Sequence, residues 1–76
     1  MNAQRRKALA TIVATLEAVA TDLEALRDEE QDYYDSMPEG LQGSERGEMA
    51  EASYEAMSEA VDAISQAVEA MGEASE

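Results

Sequence analysis

One apolar series runs through the first half of this sequence in steps that alternate between three and four residues. It reads Leu9, Ile12, Leu16, Val19, Leu23, Leu26, then Glu30, Tyr33 and Met37. Side chains three and four apart share one face of an α-helix. An unbroken three–four alternation is the stripe of a helix packed lengthwise on another helix. A second series does the same: Ala50, Tyr54, Met57, Val61, Ile64, Val68 and Met71. Strands would need a period of two, and neither series has it. The expected fold class is therefore all-α, with one helix over about 3–35 and another over about 45–73.

The segment 36–44, Ser-Met-Pro-Glu-Gly-Leu-Gln-Gly-Ser, interrupts both stripes. Pro38 and Gly40 are poor helix-interior residues, and Gly43 followed by Ser44 reads as a stop and then an N-cap. Ser36 and Glu39 have capping-box spacing, which predicts one helical turn inside the connector. If the chain folds back on itself as an antiparallel hairpin, facing positions sum to about 80. Leu9 then meets Met71, Ile12 meets Val68, Leu16 meets Ile64 and Val19 meets Val61. Leu23 meets Met57, Leu26 meets Tyr54, Glu30 faces Ala50 and Tyr33 faces Gly47. Charge agrees with this orientation. Residues 1–16 contain Arg5, Arg6 and Lys7 and no acid, whereas residues 28–76 contain fifteen acids and one base, Arg46. Folding back sets the basic start beside Glu69, Glu73 and Glu76, although exposed pairs of this kind contribute only ~0.2–1 kcal/mol each.

Seventy-six residues make one domain, 1–76, and a thin one. A chain of this size buries only roughly 60% of the surface it exposes when unfolded, and small folds are usually reinforced by disulfides, a metal or a partner chain. With no Cys and no His, disulfides and the commonest metal ligands and general bases drop out, which leaves self-association. Beside the second stripe run Ala56, Ala63 and Ala70, read as one flank, and Ala60, Ala67 and Ala74, read as the other. Small residues there admit further helices. The expectation is a homodimer or higher oligomer, most simply a four-helix bundle of two hairpins. The net charge of −13 argues against direct contact with nucleic acid or an anionic membrane. No apolar run approaches the ~20 residues of a transmembrane span. The stretch 8–16 behind its basic start resembles a leader, but it continues into Glu17, Asp22 and Glu24 on the same period and reads as helix.

The densest polar segment is 27–35, Arg-Asp-Glu-Glu-Gln-Asp-Tyr-Tyr-Asp, followed by Ser44, Glu45, Arg46, Gly47 and Glu48. Two readings follow. In the structural one, Arg46 neutralises Glu30 at the end of the bundle and Tyr33 packs on Gly47. In the functional one, Arg27, Gln31, Tyr34, Gln42 and Arg46 line a binding site that oligomerisation completes. No catalytic residues are expected. Paired carboxylates alone, without a cleft or sugar-binding aromatics, do not make a glycosidase. Asp28, Glu29, Asp32 and Asp35 lack the oxygen spacing and central Gly of a calcium loop. No metal or cofactor is called for, and Met57 and Met71 lie on the stripe as packing residues.

The block from Glu29 through Gly47 resembles one that recurs in small proteins of bacteriophages and prophages. Its pattern is an acidic helix, an Asn/Ser-Met-Pro-Glu-x-Leu-Gln-x-Ser-Glu-Arg-Gly turn, and a second acidic helix. The close match covers about a quarter of the chain, with Ser36 where Asn is common. The resemblance implies a phage origin and a bacterial host's cytoplasm. It also implies that Pro38, Glu39, Leu41, Gln42, Ser44, Glu45, Arg46 and Gly47 act as a unit. It carries no activity with it. The leading expectation is a phage-type accessory protein that is not an enzyme and that binds a host defence or regulatory protein stoichiometrically. A second expectation is an oligomeric sponge that sequesters a small anionic, nucleotide-like ligand at the turn end. A third is a scaffold or virion role. The stripe itself is testable. Ile64→Asp would bury an unpaired carboxylate in a thin core, so the variant should be unfolded or monomeric at micromolar concentration. Light scattering and circular dichroism showing a folded, unchanged oligomer would remove the stripe from the core.

Overall fold

The computed structural model describes residues 1–76. It contains three helices and no strand: α1, Ala3–Asp35; α2, Glu39–Gln42; and α3, Glu45–Ala74. Local chemistry sets these limits. Asn2 caps α1 by accepting a hydrogen bond from the Arg5 amide at 2.8 Å, which satisfies one of the N–H groups a helix start leaves orphaned. Ser44 caps α3 by accepting from the Gly47 amide at 3.4 Å, and its hydroxyl donates back to the Leu41 carbonyl. The connector holds the expected helical turn, but Ser36 does not cap it. Ser36 closes α1, and the residue before α2 is Pro38, which makes no side-chain cap.

The start of α1 lies against the end of α3. Leu9 and Val13 share a groove with Val68 and Met71, and Leu26 and Tyr33 share one with Met57. The pair is therefore antiparallel, with facing positions summing to 80 at Leu9–Met71 and 83 at Leu26–Met57. The molecule is a rod of 58 × 15 × 12 Å with a radius of gyration of 17.2 Å, whereas a compact domain of this length would have about 11 Å. No helix is long and apolar enough to cross a membrane.

The structure corrects the first stripe. Leu9, Leu16, Leu23, Glu30 and Met37 are half-buried as expected, but the residues between them on this face are Val13, Ala20, Arg27 and Tyr34. The expected Ile12, Val19, Leu26 and Tyr33 stand 47–54% exposed. Both choices alternate threes and fours around the same leucines, so period alone cannot distinguish them. They lie on opposite sides of the leucine line. Only three residues are buried, all in α3: Gly47, Ala50 and Val61. Ala20 lies level with Val61, a small residue opposite a larger one.

Gly47 was expected to make room for Tyr33, but what it makes room for is α2. A Cβ placed on Gly47 would overlap the Gln42 carbonyl oxygen and come within 2.6 Å of its carbon. Backbone cannot rotate away as a side chain can, so Gly47→Ala should cost about 1–3 kcal/mol by overpacking. Gly72, in the last turns of α3, has nothing within 4 Å of such a Cβ. There Gly72→Ala should stabilise by about 0.5–1 kcal/mol through restored helix propensity. Denaturant unfolding of the two variants should shift the midpoint in opposite directions.

Candidate functional site

Three of the five expected site residues, Gln31, Tyr34 and Gln42, gather at the connector end. Arg27 and Tyr34 lie in the α1 face turned toward α3, and Gln31 sits between their turns. The Gln42 side-chain amide donates to the Tyr34 carbonyl at 3.3 Å, tying α2 to the last turn of α1. The Arg27 side chain is only 26% accessible, and its Nε lies 3.4 Å from Asp28 Oδ1, the one ion pair in the structure. Arg46 is separate. It is exposed and stands in seven-residue register with Ser53, Ala60 and Ala67, which places it on the other flank of the hairpin. The expected Glu30–Arg46 pair is not formed. Glu30 is half-buried in the α1 stripe with no salt-bridge partner.

Gln31 and Tyr34 line a shallow groove of about 180 Å³ whose other walls are Asp35, Glu51, Tyr54 and Glu55. Three carboxylates and two phenol rings around a small opening repel an anion and favour a cationic or hydrogen-bond-donating group. Reading the sequence for arginines passes over this, because Glu51, Tyr54 and Glu55 come from α3. The signal that finds them is the hairpin register, which brings residues near 50–55 level with 31–34. No cluster of acidic side chains is arranged to hold a metal ion.

The groove belongs to a wider asymmetry. Residues 3, 4 and 7 apart in a helix stay on one side, so α3 can be sorted by register. Positions 46, 49, 53, 56, 60, 63, 67, 70 and 74 are Arg, Met, Ser and six Ala, with no acid among them. The two alanine runs thus form adjacent rows on one side rather than two flanks, as three residues amount to a rotation of only about −60°. Most acids of α3 lie on the remaining surface, while Glu45 and Glu59, each four residues before a member of these rows, border them. The grooves show which α1 residues adjoin each side. Glu17 lies with Ser65 and Glu69, on the acidic side. Leu26 and Tyr33 lie with Met57 on the side of the alanine rows, and Glu29 and Glu30 line the same groove. The hairpin is two-faced, with Glu17, Glu24, Glu51, Glu55, Asp62 and Glu69 along one flank and exposed apolar side chains along the other.

No protein-family model, curated protein or solved structure matches this chain.

The separation of Arg46 from Glu30 makes a measurable statement. Arg46→Ala should change unfolding free energy by less than about 0.5 kcal/mol, as exposed side chains without partners usually do. A double-mutant cycle with Glu30→Ala should give a coupling near zero. A coupling above about 1 kcal/mol would restore the ion pair expected from the sequence.

Proposed function

We propose that this chain is a phage-type accessory protein that self-associates and, without catalysis, binds a basic surface of a host protein, one that otherwise engages nucleic acid. The observation that carries this reading is the charge-segregated rod. A net −13 over 58 Å is one charge per about 4.5 Å, against one per ~1.7 Å for duplex DNA and ~3.4 Å for one strand. Two chains side by side over the same length reach one per about 2.2 Å, close to the duplex value. A rigid helical rod presents that charge at little ordering cost, and complementary fields speed encounter. The acidic groove of Gln31, Tyr34 and Tyr54 adds a place for an arginine or lysine side chain of the partner, with ring faces available for cation–π contact. The phage-like turn at 36–47 supports the host setting.

The test is affinity capture from bacterial lysate at low and moderate salt, with the protein and a Glu24→Lys, Glu55→Lys, Asp62→Lys variant as paired baits. The proposal expects captured proteins that weaken with salt, are displaced by duplex DNA, and are lost with the variant. Capture of nothing at either salt, or capture indifferent to both DNA and charge reversal, would overturn it. If nucleotides raised the melting temperature while the lysate gave nothing, the sponge reading would take its place.

A further inference from the structure

We infer that the exposed apolar flank is the self-association surface, that a second copy of this chain covers it, and that the two hairpins pack antiparallel about a two-fold axis. On that axis α1 lies over α1 and α3 over α3. The inference rests on the self-association proposed above and names its surface and geometry.

Three observations carry it. The first is area. The chain exposes 5530 Å², whereas a compact monomer of 8.2 kDa would expose about 4,500 Å². The excess of about 1,000 Å² is what one partner of a standard interface hides, about 800 Å². The second is position. Ile12, Val19, Leu26 and Tyr33, all 47–54% exposed, recur every seven residues on α1, and their row is symmetric about position 22–23. The uncharged α3 row from Met49 to Ala74 is symmetric about position 61–62. The register between Leu9–Met71 and Leu26–Met57 puts those two centres within about a turn of one level. A single perpendicular two-fold therefore serves both rows, pairing Val19 with the partner's Leu26 on one side. On the other it pairs Ala60 with the partner's Ala63, where small residues allow close approach. Asp22 and Glu29 border the α1 row and keep its rim polar.

The third observation is charge. In the single chain no ion pair engages Arg5, Arg6, Lys7 or Arg46. An antiparallel α1 pair brings the basic start of one chain level with Asp35 and Glu39 of its partner. An antiparallel α3 pair brings Arg46 close to the level of the partner's Glu76. A two-fold along the rod would instead set like ends together. The acidic flank excludes the remaining arrangement, in which the opposite faces meet.

Because the stripe is exposed in the hairpin, substitutions there leave the fold of one chain intact and read out association. Light scattering at tens of micromolar should give the mass of two chains of 8.2 kDa. Val19→Glu combined with Leu26→Glu should halve that mass with helical circular dichroism retained, and Glu24→Lys on the acidic flank should leave it unchanged. Geometry is read by cross-linking, as the natural chain has no cysteine. A mixture of Val19→Cys and Leu26→Cys chains should oxidise to mixed dimers and each alone should not, because like positions lie roughly 10 Å apart along the axis. A monomeric natural protein would defeat the self-association reading itself. A dimer indifferent to the Val19/Leu26 pair would defeat only this surface, and self-linking of single variants would defeat the antiparallel order.

Discussion

A hairpin of two helices cannot enclose a core, and every other feature of this molecule answers to that constraint. Each helix has one neighbour and can turn only a narrow strip toward it, so even the best-covered large side chain, Val61, keeps 7% of its surface. What the pair does bury is held close by size matching. Ala20 lies level with Val61, and the Gln42 carbonyl occupies the space a side chain on Gly47 would take. That last contact sets how closely α2 approaches the start of α3, while each helix turns only one side inward. The apolar residues that lose this choice do not become surface by default. They form a second strip at the same seven-residue spacing.

The extent of each element was legible because its limits are written in local chemistry. Asn2, Ser36, Pro38, Gly43 and Ser44 stop and start helices through their own backbones, and Ala3–Asp35 and Glu45–Ala74 follow. Rotation was not legible. Ile12 and Val13 both stand next to Leu9 and Leu16 on a helix surface, and hydropathy favours the larger residue. The structure turns Val13 inward and leaves Ile12 49% exposed, a choice of rotation that periodicity does not encode. The same rotation separates Arg46 from Glu30 and from Tyr34. Of the candidate site, Gln31 and Tyr34 line one groove and Gln42 bonds the Tyr34 carbonyl, a proximity legible because the three lie near one turn. Glu51, Tyr54 and Glu55 were missed because they enter through register across the hairpin.

Charge placement in α1 runs against helix stability. The first turn of α1 has no acid and its last turn no base. Arg5, Arg6 and Lys7 crowd the positive end of the macrodipole, and Asp32 and Asp35 the negative end, each against a preference of about 0.3–1 kcal/mol. A long helix tolerates this when its ends meet opposite charge on other helices, and a two-helix rod supplies only one such neighbour. The α3 helix, by contrast, begins with Glu45 and Glu48, in agreement with its dipole. At its other end α3 repeats the unfavourable pattern, with Glu73 and no base in its last turn.

Segregating the flanks also separates two tasks that would otherwise compete. Carboxylates scattered over the rod would oppose close packing of two chains, because each buried one must be desolvated. Gathered on one side, they stay hydrated whether or not the other side is covered, and their field adds across a pair of chains. Alanine is suited to the opposite side for a related reason. A row of leucines on α3 would leave a single chain with an apolar patch large enough to aggregate. Alanines leave a shallow patch that gains little from imperfect contact and much from the close, regular approach of a matching helix. In the dimer proposed above, the sparse large residues, Ile12, Val19, Leu26 and Tyr33, would set the register of that approach, with Asp22 and Glu29 along the rim of their row.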